Sequence, residues 1–185
     1  MLAAYNYLNQ MLYAAEIDPL TGLMNRLAFE RLLNQAANDT EKLSTSDEAT
    51  YFVLADIDFF KKINDTFGHL YGDEVLILLA RMMSDSFRSI DWLFRYGGEE
   101  FAFILHDVSY ADALQALERF RLKIESSSFP QVEQVTVSIG FSQMVNYEPV
   151  SSLIDRADNA LYFAKNNGRN QVQNYENLIE QGLFS

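Results

Sequence analysis

One apolar run constrains this chain more than anything else in it. TYFVLADI, Thr50 to Ile57, has the length of a strand and is apolar from Tyr51 to Ala55. A continuous run of this kind is buried on both faces, so the strand belongs at the centre of a sheet with helices above and below. Its end carries two acids, Asp56 and Asp58. Acids at the mouth of a buried strand ask for a cation, a donor or water.

The rest of the chain supplies partners for that strand. DWLFRYGGEEFAFILHD, Asp91 to Asp107, reads as a hairpin of two short apolar strands around Gly97-Gly98, whose glycines supply the positive φ that tight turns require. Val135 to Phe141 alternates and predicts another strand. Helical spacing places Leu27, Phe29, Leu32 and Leu33 towards a core behind an Asn25 cap. Tyr71 to Ser89 is a long core-facing helix carrying Val75, Leu78, Leu79, Met82 and Met83. A further stripe joins Ala113, Leu114, Leu117, Phe120, Arg121 and Ile124 before Ser126 to Pro130 break it. Ser151 to Asn166 forms the last helix, with Gly168 where a C-terminal cap belongs.

Helices and strands alternating around an antiparallel hairpin indicate an α+β domain, a sheet backed by helices. No internal repeat or linker divides it. Residues 38–50 read as a polar surface loop. Tyr5, Leu8, Leu12 and Ala15 give residues 1–16 a seam that suits either an amphipathic helix on the domain or a dimerising stalk.

Composition excludes several functions. The 14 lysines and arginines stand against 26 acids, a net charge of −12, which rules against a broad grip on DNA or RNA phosphates. The chain has no cysteine, hence no disulfide framework. Its best membrane candidate, Val75 to Met83, is short and broken by Arg81. The expectation is a soluble, cytoplasmic chain with no membrane contact of its own, cut from a parent that can itself be membrane-anchored.

Glu99 and Glu100 at the hairpin tip pose the same question as Asp56 and Asp58. If the two strands are neighbours, three or four carboxylates converge, and hard oxygen ligands without histidine or cysteine suit Mg²⁺. Solvation of strand ends by acids is the commoner use of such residues. What favours a metal-phosphate site is the segment that follows: Phe59, Phe60, Lys61 and Lys62 open a helical turn whose free N–H groups hold anions. Cation ligands beside anion donors are what a nucleoside triphosphate needs.

Gly97-Gly98-Glu99-Glu100-Phe101 resembles the signature of GGDEF domains, the diguanylate cyclases that condense two GTP into cyclic di-GMP. DPLTGLMNR (Asp18 to Arg26), DIDFFKKINDTFGHLYGDEVL (Asp56 to Leu76), VTVSIGF (Val135 to Phe141) and ALYFAKNNGRN (Ala160 to Asn170) are similar to that family's other blocks, in its order. The resemblance implies a domain over residues 18–175, with an N-terminal helical stub at 1–17 and a C-terminal tail at 176–185. It also implies a ferredoxin-like palm like that of nucleotidyl cyclases, with a mainly antiparallel central sheet flanked by helices.

Carried over by position, Asp56, the backbone carbonyl of Ile57, Glu99 and Glu100 would hold Mg²⁺, with Mn²⁺ as the alternative ion, and Glu99 would be the general base. Asn64 and Asp73 would bind the guanine edge, with His69 in the same block. A carboxylate accepts from guanine N1–H and the 2-amino group, donors that adenine lacks. Lys61, Lys165 and Arg169, with the N–H groups of Phe59 and Phe60, would clamp the triphosphate. Without the resemblance, Asn64 and Asp73 would be read as helix caps, and Lys165 and Arg169 as cations favoured by a helix dipole.

Arg88-Ser89-Ile90-Asp91 fits the family's RxxD site, where cyclic di-GMP binds as product and inhibitor; a plain i,i+3 ion pair is the competing reading. The resemblance implies a homodimer, each subunit bringing one GTP. Two other functions compete: a module that binds GTP or cyclic di-GMP without catalysis, and a cyclase of relaxed base choice. The signature acids and phosphate lysines are all retained, which argues against the first, and Asp73 argues against the second.

Overall fold

The computed structural model describes residues 15–38 and 48–184. The seam over residues 1–16, apart from its last two residues, and most of the loop expected at 38–50 lie outside them. The elements run α1 (Arg26–Asn38), β1 (Ala49–Ile57), α2 (Phe60–Phe67), α3 (His69–Ser86), β2 (Trp92–Arg95), β3 (Glu100–Val108), α4 (Tyr110–Glu125), β4 (Val137–Gln143), α5 (Val150–Asn166), β5 (Val172–Asn174) and α6 (Tyr175–Glu180).

The sheet order is β2-β3-β1-β4-β5, so the apolar run does take the centre. Its pairs with β3 and β4, and that of β2 with β3, are antiparallel; only β4 and β5 run parallel. This is the expected α+β architecture. Alternation along β1 divides the core: Tyr51, Val53, Ala55 and Ile57 pack with α2, α3 and α4, while Phe52 and Leu54 pack with α1 and α5. Asp56 shares the parity of Phe52 and Leu54, which sends its carboxylate to the α5 side.

Helix α5 lies directly on the sheet at Gly140. A Cβ there would come within 2.7 Å of Leu161 Cα, and closer still to Leu161 N and Ala157 O. Glycine at this point is therefore a packing requirement, and it fixes where the end of α5 arrives. Asn25 caps α1 as expected, its Oδ1 accepting from the N–H groups of Leu27 and Ala28 at 2.9 and 3.2 Å. Gly168, at φ 114°, ends α5 in the left-handed region.

Some local readings need correction. Leu27 is 55% exposed, and Ala28 takes the inward position beside Phe29 and Leu33. The long helix, expected over Tyr71 to Ser89, begins directly after Gly68 at His69 and ends at Ser86. Neither Gly97 nor Gly98 has a positive φ. Gly97 instead leaves room for the far end of the Glu100 side chain, whose carboxylate a Cβ there would displace, whereas one at Gly98 would meet nothing within 4 Å. The sequence reading placed neither β5 nor α6, whose Leu178 is buried.

Candidate active site

The end of β1 gathers the chemistry. Asp56 pairs with Glu100 across β3 and with Ser138 across β4, and the N–H of Ile57 donates to Glu99 O at 3.3 Å. The hairpin therefore lays its two glutamates beside the strand end. Asp56 is 6% exposed, and Lys165 Nζ from the last turn of α5 reaches its Oδ2 at 2.8 Å. Burial pushes the Asp56 carboxyl up to about 6, helped by Glu99 and Glu100 and opposed by Lys165.

No group of three or more His, Asp or Glu side chains among the described residues is gathered closely enough to hold a metal ion. The strands that carry Asp56, Glu99 and Glu100 are adjacent, but the Asp56 carboxylate is turned to Lys165. The donor set nevertheless fits a hard divalent cation: it is oxygen only, and a buried acid repelled by two others is relieved by positive charge.

Asp58 has a different fate. It accepts from Thr136 Oγ1 at 2.8 Å, Ser138 Oγ at 2.7 Å and the Asn170 N–H at 3.0 Å. Three donors leave it a structural acceptor that pins the start of α2. Phe59 follows in the left-handed conformation, φ 58°, and caps α2 without a side-chain bond. The first-turn N–H groups of α2 thus have no acceptor within the helix. Lys61 is exposed on that turn, and the Arg169 guanidinium lies 4.5 Å from the Phe59 ring centroid.

Asn64 on α2 and Asp73 on α3 flank the Gly68 turn. Asn64 Oδ1 is buried with no hydrogen-bond partner, and a Cβ at Gly72 would occupy its place. An unpaired buried acceptor is costly unless a ligand satisfies it. Asp73 and His69 are exposed in the first two turns of α3.

Arg88 and Asp91 form a second locus. Asp91 is buried and accepts from Arg88 N at 2.9 Å, Nε at 3.3 Å and Nη2 at 3.1 Å, and from His106 N at 3.2 Å. Arg88 Nη2 also donates to His106 O. A cavity of about 310 Å³ opens here, lined by Arg88, Asp91, Asp107, Ser109 and Arg119. Arg119 escaped the sequence reading because it stands 31 residues after Arg88, on α4. A second cleft, about 520 Å³, is lined by Asp58, Phe59, Lys62, Ile63, Val132 and Thr136, and Asp56 is not among its walls.

A family model described as "Diguanylate cyclase, GGDEF domain" matches residues 15–171. The chain belongs to the GGDEF family. This GGDEF chain is 41% identical over 173 residues to the response regulator PleD of Caulobacter vibrioides, covering 90% of the chain and 37% of PleD. It is 39% identical over 163 residues to the diguanylate cyclase DgcM of Escherichia coli, covering 88% of the chain and 39% of DgcM. The chain thus spans well under half the length of these curated relatives. Among solved structures, the coiled coil and GGDEF domain of DgcB from Caulobacter crescentus, in complex with c-di-GMP, superposes with a TM-score of 0.83 at 32% identity, covering 93% of this chain and 92% of that one. Diguanylate cyclase SiaD from Pseudomonas aeruginosa, in complex with its activator SiaC, gives 0.81 at 34%, covering 94% and 67%. No helix among the described residues of the GGDEF chain is long and apolar enough to cross a membrane.

Proposed function

We propose that this chain is a diguanylate cyclase that condenses two GTP into cyclic di-GMP and two pyrophosphates, working as a homodimer. The observation that carries the reading is the register that sets Asp56 against Glu100, with Lys165 and the Phe59 turn at the same strand end. Family membership and the diguanylate cyclases among its relatives support it.

Asp56, the Ile57 carbonyl, Glu99 and Glu100 would hold Mg²⁺, or Mn²⁺ in its place. When bound, such an ion neutralises phosphate charge and eases loss of the 3′-hydroxyl proton. Glu99 accepts that proton. The 3′-oxygen then attacks the α-phosphorus of the GTP held by the partner subunit, a P–O bond forms in line, and pyrophosphate leaves. Lys61, Lys165, Arg169 and the N–H groups of Phe59 and Phe60 take up the charge of the departing phosphates. Asn64 and Asp73 select guanine, the unpaired Asn64 Oδ1 being an acceptor that waits for a donor. His69, exposed at the start of α3, would lie beside the bound base.

Arg88 and Asp91, with Arg119, form the site at which cyclic di-GMP binds as inhibitor. Arginines suit the ligand because they stack on guanine and bond its O6/N7 edge. DgcB with its bound c-di-GMP is the supporting likeness. The test is incubation with GTP and Mg²⁺ at several protein concentrations, after stripping copurified cyclic di-GMP, with a Glu99→Gln control. Cyclic di-GMP formed at a rate per subunit that rises with concentration, and absent in the control, is the expected result. Product binding at Arg88 with no turnover at any concentration would make the chain a binding module.

A further inference from the structure

Helix α4 supplies Arg119 to the second locus and no residue to the active site at the end of β1, yet one of its side chains reaches the phosphate clamp. Arg121 falls on the apolar stripe of α4 and is only 12% exposed at its side chain. Its Nε bonds Glu118 at 2.7 Å, and its Nη1 bonds Glu125 at 2.9 Å and Asn170 Oδ1 at 2.8 Å. Asn170 Nδ2 donates to Glu125 Oε1 at 2.9 Å, and its main-chain N–H donates to Asp58 Oδ2. Every polar group of the Asn170 side chain is spoken for.

The segment so held is unusual. Gly168, Arg169 and Asn170 have φ values of 114°, 61° and 45°, three successive residues in the left-handed region. Two of them carry side chains, and such conformations persist only where the surroundings hold them. The hold comes from both sides: Arg121 and Glu125 grip the Asn170 amide, and Asp58 grips its N–H. Arg169 is thereby turned over the Phe59 ring, itself left-handed at φ 58°. The two halves of the clamp, one after β1 and one after α5, meet through Asp58 and Asn170.

We infer that Arg121 and Asn170 are positioning residues for triphosphate binding, a brace from α4 that presets Arg169 and the Phe59 turn. The inference rests on the GTP reading above. Neither residue touches substrate; they act by lowering the cost of ordering the clamp when phosphate arrives.

Asn170→Gly separates this role from simple structure, because glycine keeps the left-handed backbone and the N–H to Asp58 while cutting the tie to α4. Binding of α,β-methylene GTP and of GMP, each with Mg²⁺, is measured by calorimetry on the full chain alongside thermal midpoints. The expected result is a loss of about tenfold for the triphosphate and an unchanged affinity for GMP. Arg121→Met attacks the brace from its other end and should show the same phosphate-specific loss, with the double variant no weaker than the weaker single one. Equal losses for both nucleotides, additive losses, or no loss would overturn the inference. Wild-type protein that binds neither nucleotide would fell the GTP reading and this inference with it, whereas normal binding by both variants would fell the inference alone.

Discussion

Lys165 Nζ stands 2.8 Å from Oδ2 of Asp56, so the last turn of α5 delivers its cation to the acid that ends β1. That pair is the counterweight to burial and to the two hairpin glutamates. In Lys165→Met the Asp56 carboxyl rises further and the phosphates lose a cation. GTP KM should increase about tenfold or more with little change in thermal midpoint, since Lys165 is partly exposed. Steady-state kinetics with a melting curve decide this, and an unchanged KM would remove Lys165 from the clamp.

Gly97→Ala should damage activity and spare the fold. The added methyl meets the far end of a flexible side chain, the Glu100 carboxylate, which can swing aside at small cost. Swinging it aside misplaces a carboxylate, and small misplacements in a reacting site cost about a hundredfold. A thermal midpoint within a few degrees of wild type beside a large fall in kcat is expected.

Gly140→Ala should do the reverse. Here the methyl meets the backbone of Leu161 and Ala157, which cannot rotate away. Helix α5 has to lift from the sheet, at about 3 kcal/mol or more. Urea denaturation measures it, and a loss under about 1 kcal/mol would mean the helix is not seated as described.

Arg119→Ala and Arg88→Ala should each relieve product inhibition at the proposed second site. Both arginines line the same cavity, although they stand on different elements. Initial rates at rising cyclic di-GMP separate the outcomes: a variant inhibited like wild type would exclude Arg119 from the site. Asp91 is a poorer probe, because it is buried and anchors both Arg88 and His106 N.

His106 makes stability pH-dependent. Its ring packs 4.5 Å from the Trp92 ring, and burial holds its pKa below the ordinary value against the pull of Asp91 and Asp107. The unfolded chain therefore takes up the proton first. Stability from this group is complete above about pH 6.5 and is lost as pH falls from there towards the folded-state pKa. His106→Gln should flatten that part of the slope in urea titrations at about pH 7.5 and 5.5; parallel slopes for the two proteins would show that another group is responsible.

The sheet's centre and most helices were legible because apolar spacing reports burial directly, and Thr50 to Ile57 could hardly lie elsewhere. Contacts between distant segments were not. Nothing in the spacing of Arg121 marks it as a partner of Asn170, 49 residues on, and its place on an apolar stripe points the other way. Three-residue β5 is too short for alternation to show, and a parallel neighbour depends on the crossover through α5. Gly97-Gly98 gave the hairpin for the wrong reason: the turn needs room for Glu100, not a left-handed backbone. Proximity of Asp56 and Glu100 followed once the two strands were neighbours, but the turn of Asp56 towards Lys165 depends on how α5 is seated at Gly140.

The alternation of β1 bears on how such a chain can change over generations. Substitutions of one apolar residue for another leave every side chain on its own face. An in-frame loss of a single codon inside the strand would transpose the faces beyond it, sending Asp56 among the aromatic rings under α4 and an apolar residue towards Lys165. Losing two codons would restore the faces but slide the acid about 6.6 Å from Glu100. A lineage can therefore revise this strand letter by letter, while its length is inherited unaltered.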